Sequence, residues 1–397
     1  MAFVQAGGRA ITMIPDYIGF DLITFGTVGL ATPTQLRLTF DLGEGGTGTW
    51  DFYGSNLAYS FPPATGGPAP DLTGGTLVRM VQAENGAPII DISGMSLSAA
   101  TFWSQARAND TLAILSGIFA GDDTLYGSDQ REDQGFDIGD DLIGFDGNDS
   151  IGAGAGFDTL DGVGGNDFLD GGADIDMAYY GSAAAAYAVV TYAGTTGVVS
   201  LGAAMDGVDK LVNVELIGFA DEIIDTPGEN FRPLDYIASY ADLAAAFGAN
   251  AAAGFDHYLY AGAREGRVDS FDGLEYIASY HDLVAAFGAN ADAGAIHYIV
   301  AGRVEGRATS FDGLEYIATY GDLIEAFRVE VAATANHDVG TLHYLAHGYA
   351  EGRAESFDPL RYLANYSDLR AVFGADTEAA TLHFIAQGYF EGRTDHA

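Results

Sequence analysis

Between Gly121 and Tyr180 an aspartate two residues ahead of an aliphatic returns on a nine-residue beat: Asp149-Ser-Ile151, Asp158-Thr-Leu160, Asp167-Phe-Leu169 and Asp176-Met-Ala178. Asp123-Thr-Leu125 and Asp141-Leu-Ile143 come before them, eighteen residues apart with Glu132 midway, and the step from Asp141 to Asp149 is one residue short. Glycines stand two residues before most of these acids, at Gly121, Gly139, Gly147, Gly156 and Gly165. An ordinary globular core has no use for such a beat. Glycine turns the chain at positive φ without steric cost, and one inward aliphatic per nonamer makes a narrow apolar stripe. Two nonamers then form one coil of a flattened right-handed roll. Acids eighteen apart stack: Asp123 with Asp141, Asp149 with Asp167, Asp158 with Asp176.

Stacked acids need a counter-charge. Carboxylates about 5 Å apart repel by about 1 kcal/mol in water and about 3 kcal/mol at an effective dielectric of 20, which along a whole edge rivals the stability of so thin a core. A hard divalent cation between successive turns reverses the sign, since carboxylates and turn carbonyls are oxygen ligands that Ca²⁺ accepts in irregular geometry. The charge of the chain agrees: 397 residues carry a net −40 and a single lysine, Lys210. Such a field repels nucleic acid and anionic lipid and favours multivalent cations as partners. There is no cysteine, hence no disulfide, thiol nucleophile or Cys-ligated zinc.

The turns Gly164-Gly-Asn-Asp167-Phe-Leu169 and Gly154-Ala-Gly-Phe-Asp158-Thr-Leu160 resemble the nonapeptide of the RTX (repeats-in-toxin) family of secreted, hemolysin-type calcium-binding proteins. The resemblance implies a parallel β-roll over residues 118–182, folding driven by extracellular calcium, and type I export to a secreted or cell-surface location without an N-terminal signal. Carried over position by position, the calcium ligands would be Asp123, Asp141, Asp149, Asp158, Asp167 and Asp176, with the turn glycines Gly147, Gly156 and Gly165. Two stretches depart from the pattern. Ser128 to Phe136 has lost the glycine pattern, which weakens a site at Glu132, and Gly171-Gly-Ala-Asp174 has Asp where the last turn glycine belongs.

The flanks differ from the array and from each other. Residues 1–117 read as a β-rich domain, with Leu36, Leu38, Phe40 and Leu42 alternating with polar residues, further short strands at Trp50–Tyr53, Thr76–Val81 and Ile89–Ile92, and a helix capped by Ser98. Residues 183–230 read as strands that cap the roll, whose last coil would otherwise expose its stripe. The low-charge run Ala183 to Met205 is rich in Thr, Gly, Tyr and Val and reads as a strand pair; no transmembrane segment is expected. From Phe231 the period changes to four helix-turn-helix repeats over 231–397. Tyr236, Tyr276, Tyr316 and Tyr362 mark them, 40, 40 and 46 residues apart.

The repeats carry their own punctuation. Asp272 caps, Glu275 completes a capping box and Phe271 staples onto Tyr276, with the same set at Phe311, Asp312, Glu315 and Tyr316. Each repeat has a His followed by Tyr or Phe (His257, His297, His343, His383) and one Arg of Glu-Gly-Arg. The His recurs as a structural hydrogen bond would, and the Arg is suited to C-terminal carbonyls or a neighbouring acid. The six extra residues of the third repeat fall between Phe327 and His343, where they lengthen the connection between helices.

Motifs for enzymes are missing: no His-Glu-x-x-His, Gly-x-Ser-x-Gly or phosphate loop occurs. The fold class expected is multidomain α and β, and the function expected is that of a secreted, calcium-dependent structural or adhesive protein that self-associates or binds a surface protein or polysaccharide. Two alternatives stand beside it. One is an exported hydrolase or carbohydrate-binding module sited in residues 1–117; the other is a scaffold whose helical repeats grip a partner protein.

Overall fold

The computed structural model describes residues 3–6, 27–43, 46–60, 63, 65–108, 110–127, 139–202 and 206–396. Strands occupy the N-terminal half and helices the C-terminal half. Packing divides the chain into two units, Met1–Phe231 with Tyr258–Gly266, and Arg232–His257 with Arg267–Ala397.

In the first unit, β1 (Phe3–Ala6), β2 (Thr27–Thr32), β3 (Gln35–Gly43), β4 (Gly46–Tyr59), β5 (Leu72–Glu84) and β6 (Ala87–Ser98) form an antiparallel run in the order β1-β6-β5-β4-β3-β2. The alternation read from the sequence holds in β3, where Leu36 and Leu38 are fully buried while Arg37 turns to Asp51, which it holds with two hydrogen bonds of 2.6 and 2.7 Å. Ser98 caps α1 (Ala99–Arg107), its hydroxyl accepting from the Thr101 N–H. The helix sets Phe102 and Trp103 against Phe52, with ring centroids 5.4 and 5.7 Å apart. Asp110 caps the next helix, α2 (Thr111–Ile118).

The glycine-aspartate segment then alternates between two sheets. β7 (Thr124–Tyr126), β9 (Ser150–Ala155) and β11 (Phe168–Ala173) pair in parallel in one sheet. β8 (Asp141–Ile143), β10 (Thr159–Asp161) and β12 (Met177–Tyr179) pair in parallel in the other. Leu125, Leu142, Ile151, Leu160, Leu169 and Ala178 point inward and are at most 1% exposed, so one aliphatic per nonamer forms the interior, with Leu142 in the place the beat gave to Ile143, which is only partly buried.

The low-charge run is the expected strand pair, an antiparallel hairpin of β13 (Tyr187–Tyr192) and β14 (Thr195–Ser200). β15 (Val208–Val212) pairs antiparallel with β14 and parallel with β11, β16 (Leu216–Gly218) pairs parallel with β12, and β17 (Ile223–Asp225) pairs antiparallel with β16. The first sheet is therefore continuous from β13 through β11, β9 and β7 to β1 and on to β2. Its segments share one hydrophobic core, from Val28 to Phe219.

One pairing differs from the sequence expectation. Asp123 does not stack on Asp141; Thr124 lies opposite Ser150, which puts Asp123 on Asp149, 26 residues away. The stretch Ser128 to Phe136, where the glycine pattern is lost, falls between these strands, and with Glu132 it lies outside the described residues. The pairs Asp149 with Asp167 and Asp158 with Asp176 are in register at the expected eighteen residues.

The second unit consists of helical repeats. Helices α3 (Pro233–Ser239), α4 (Ala241–Phe247) and α5 (Ala251–His257) open the first. The second has α6 (Gly273–Ala278), α7 (His281–Phe287), α8 (Ala291–His297) and α9 (Arg303–Glu305). The third has α10 (Gly313–Thr319), α11 (Gly321–Thr334), α12 (Asp338–His343) and α13 (Tyr349–Glu351), and the fourth α14 (Pro359–Asn365), α15 (Ser367–Phe373) and α16 (Thr377–His383). A five-residue π-helical turn follows α8, α12 and α16.

Each repeat thus has three main helices, where the sequence suggested two. The break falls at a tyrosine in extended conformation, Tyr280 at φ −137°, ψ 117°, whose hydroxyl accepts from the Ala308 N–H and donates to the Ala308 carbonyl, both at 2.9 Å. The capping box is also replaced. Asp272 and Asp312 do cap, but Glu275 Oε1 accepts from Gly313 N–H of the next repeat at 3.0 Å, and the Asp312 N–H is taken by Glu355 at 2.8 Å. The extra residues of the third repeat extend a helix: α11 has 14 residues where α7 has 7. Among the described residues no helix is long and apolar enough to cross a membrane.

Candidate metal centre

Where each short strand begins, an acid turns back onto the acid of the coil beside it. The Asp123 N–H donates to Asp149 Oδ1 at 2.7 Å, Asp149 N–H to Asp167 Oδ1 at 2.8 Å, and Asp167 N–H to Asp209 Oδ1 at 2.9 Å. On the other sheet Asp140 N–H donates to Asp158 Oδ1 at 2.6 Å, Asp158 N–H to Asp176 Oδ1 at 2.9 Å, and Asp176 N–H to Glu215 Oε2 at 2.9 Å. Two acid rows result, one beside each sheet. Every aspartate in them is at most 3% exposed.

The second carboxylate oxygen sets the chemistry. Oδ2 of Asp149, Asp158, Asp167 and Asp176 is buried with no hydrogen-bond partner. Its position explains glycines at fixed places in the turns: a Cβ on Gly144 would lie 2.4 Å from Asp149 Oδ2, one on Gly162 would lie 2.1 Å from Asp167 Oδ2, and one on Gly171 would lie 2.6 Å from Asp176 Oδ2. The turn glycines stack as well. Gly165, at φ +133°, sits so close over Gly147 that a Cβ would approach the Gly147 carbonyl oxygen to 1.4 Å, and Gly147, at φ +152°, sits likewise over Gly121. Gly156, at φ +141°, lies in the turn leading to β10 and donates to the Ala173 carbonyl at 3.3 Å.

Burial pushes the carboxyl groups of Asp149 and Asp176 up to about 7, opposed by the backbone N–H each accepts and reinforced by neighbouring acids. The same causes push Asp158 to about 6, burial pushes Asp167 to about 6 against a backbone N–H and its side-chain contact with Asp209, and burial carries Asp209 well above the usual range. An orphaned buried acceptor is costly, and an ionised one more so. The donors gathered here are all oxygen, which is the set hard divalent cations take.

Of the ligands read from the sequence, Asp123, Asp149, Asp158, Asp167 and Asp176 lie on the rows. Asp141 does not. It stands opposite Thr159 inside β8, and Asp140, nine residues before Asp149, has its place. The short step at Asp141 was the available sign. Asp209 and Glu215 were not read as ligands either, since they lie 42 and 39 residues beyond the acids whose N–H groups they accept.

No protein-family model, curated protein or solved structure matches this chain.

The histidine that recurs in each repeat meets one tyrosine hydroxyl. Tyr236, Tyr276, Tyr316 and Tyr362 place their hydroxyls 2.9, 2.9, 3.1 and 3.0 Å from Nδ1 of His257, His297, His343 and His383. The arginines meet acids: Arg267, Arg307, Arg353 and Arg393 pair with Asp242, Asp282, Asp322 and Asp368, each at 2.9 Å, and lie over Tyr240, Tyr280, Tyr320 and Tyr366. Glu275, Asp312 and His337 also bring three donor atoms together. There His337 Nδ1 lies 3.3 Å from Glu275 Oε1 and 3.5 Å from Asp312 Oδ1, and hydrogen bonds to Asp312 and then Glu275 push the imidazole up to about 10. The arrangement favours a protonated ring bridging carboxylates of neighbouring repeats, and Asp312 Oδ1 already caps α10.

Proposed function

We propose that residues 118–182 form a calcium-binding parallel β-roll of the RTX kind, and that the chain is a secreted, calcium-dependent structural or adhesive protein of the cell surface or extracellular matrix. The observation that carries this reading is the row of buried Oδ2 atoms without partners at Asp149, Asp158, Asp167 and Asp176. Ca²⁺ bound along the rows would supply the counter-charge these oxygens lack. Asp123, Asp140, Asp149, Asp158, Asp167 and Asp176 are the residues that would hold it, with the carbonyls of turn glycines such as Gly121, Gly147 and Gly165.

Two further facts support a structural role. The acids of the rows accept one another's backbone N–H groups, and the recurrent His and Glu-Gly-Arg arginines of the repeats are spent on internal bonds. Ions at millimolar extracellular concentration would then decide whether the roll is ordered, and the repeats would serve assembly. Equilibrium dialysis of the full chain should find several calcium ions per molecule, and sedimentation should find assemblies that dissociate in chelator. A chain that takes up no calcium at 5 mM would sink this reading, and oligomers indifferent to chelator would remove its assembly half.

A further inference from the structure

Past Tyr180 the nonamer pattern stops in the sequence, yet both acid rows continue. Gly207-Val-Asp209-Lys-Leu211 has the spacing of the array, with Gly two residues before an acid and an aliphatic two residues after it. In the fold it occupies the position of a further turn. Lys210 N–H donates to the Asp167 carbonyl at 2.8 Å, as Phe168 N–H does to Asp149 and Ser150 N–H to Asp123. Gly207, at φ +63°, stacks on Gly165 so closely that a Cβ would approach the Gly165 carbonyl oxygen to 1.7 Å. The outer ladder of turn amides also carries on: Asn148 Oδ1 accepts from Asn166 N–H, and Asn166 Oδ1 from Val208 N–H, both at 2.9 Å.

The second row ends in a similar way. Leu216 N–H donates to the Asp176 carbonyl at 3.0 Å, and Asn213, at φ 51°, replaces the turn glycine. A Cβ placed on Gly171 would meet the Asn213 carbonyl oxygen at 2.2 Å and Asp176 Oδ2 at 2.6 Å, so an oxygen from the cap and an orphaned oxygen from the array face one spot. Asp176 is fully buried and Asp209 is 2% exposed.

We propose that β15 and β16 complete one further cation site on each row, Asp209 with Asp167 on the first and Glu215 and the Asn213 carbonyl with Asp176 on the second, taking a hard divalent cation. The inference rests on the calcium reading of the rows. It adds that the cap is a ligand-bearing part of the array, and that the hairpin β13–β14 is looped out between one turn and the next. The cap and the array then become ordered at a common calcium concentration.

The test uses the full chain with Ca²⁺ as the probe. Asp209→Asn and Glu215→Gln keep an acceptor oxygen for the Asp167 and Asp176 N–H groups, and Asp225→Asn, exposed on β17, serves as control. Equilibrium dialysis should show each row variant binding one ion fewer than wild type and the control binding the full number. Amide exchange adds a readout independent of the variants: in wild type, residues 208–217 should gain protection at the same calcium midpoint as residues 150–179. Full stoichiometry in both row variants, or cap protection indifferent to calcium, overturns the proposal while leaving the calcium reading of the rows intact. Absence of any bound calcium in wild type overturns both.

Discussion

Asp158→Asn should change the stability of the array in opposite directions with and without calcium. The Asp158 carboxyl is pushed to about 6, chiefly by burial, against an ordinary value of 3.8. Without metal the folded state therefore holds this proton more tightly than the unfolded state does. The favourable contribution is complete below the unfolded value near 4, declines as pH rises through about 6, and is absent at pH 8. At about 1.4 kcal/mol per pH unit, ionised Asp158 costs the metal-free fold between about 1.5 and 3 kcal/mol, the lower figure allowing for solvent screening at the turn. Asparagine keeps the Oδ1 that accepts from Asp140 N–H and removes the charge. In chelator at pH 8 the variant should show amide exchange over residues 141–179 slower by about ten- to a hundredfold. Wild type should gain similar protection when the pH is lowered to 5, once intrinsic exchange rates are corrected. In calcium the order inverts, because the variant has lost an anionic ligand and should need at least about tenfold more ion to become ordered. A variant that is less protected than wild type in both conditions would refute the reasoning, since Asp158 would then be an ordinary hydrogen-bonded side chain.

Two further outcomes concern the helical repeats. Gly348→Ala would set a Cβ 2.2 Å from the Tyr316 hydroxyl, so it should cost at least about 2 kcal/mol in urea unfolding. Tyr316→Phe alone should cost about 1 kcal/mol for the bond to His343, and the double variant should cost less than the sum, because the clashing hydroxyl is gone. His337→Ala should cost about 1–2 kcal/mol at pH 6. Its pKa is raised to about 10, so this contribution is full below the unfolded value near 6.5 and fades as pH rises through 10. Unfolding curves at pH 6 and pH 10.5 should therefore differ for wild type more than for the variant.

What could be read from the sequence follows from how local each cause is. The nonamer beat is a local period, so it located the row acids and inward aliphatics of every unit but the one at Asp140 and Leu142, and period-two alternation located β3. The beat points to Asp141 because it stands two residues before Ile143, whereas the register that puts Asp140 on the row depends on the turn ahead of it. Asp209 and Glu215 were hidden because the hairpin Tyr187–Ser200 and its flanking segments separate them from the array. A turn that returns to register after such an excursion leaves only a three-residue trace, Gly207, Asp209 and Leu211. The break of each repeat at its second tyrosine was hidden for a different reason. No Gly or Pro marks Tyr280; the extended conformation is fixed by a bond to Ala308, 28 residues on, and a helical period cannot register that.

The charge of −40 is answered differently in the acid rows and at the arginine-paired acids of the helical repeats. In the helical repeats the acids at the start of α4, α7, α11 and α15 each have an arginine at 2.9 Å, and the helix-capping acids accept backbone N–H groups. Hydrogen bonds from the arginines hold Asp242, Asp282, Asp322 and Asp368 below the ordinary aspartate range, whereas burial pushes Asp235, against the pull of Arg232, and Glu315 up to about 8. In the rows the shift runs the other way at every acid from Asp149 to Asp176 whose second oxygen is unpartnered. Calcium dependence should accordingly stop where the arginines begin. Chelator added to the full chain at pH 8 should raise amide exchange across residues 141–217 and leave α6 to α16 protected as before. Loss of protection in α10 or α14 on calcium removal would show that the repeats depend on the ion too, and the electrostatic division between the rows and the arginine-paired acids would fail.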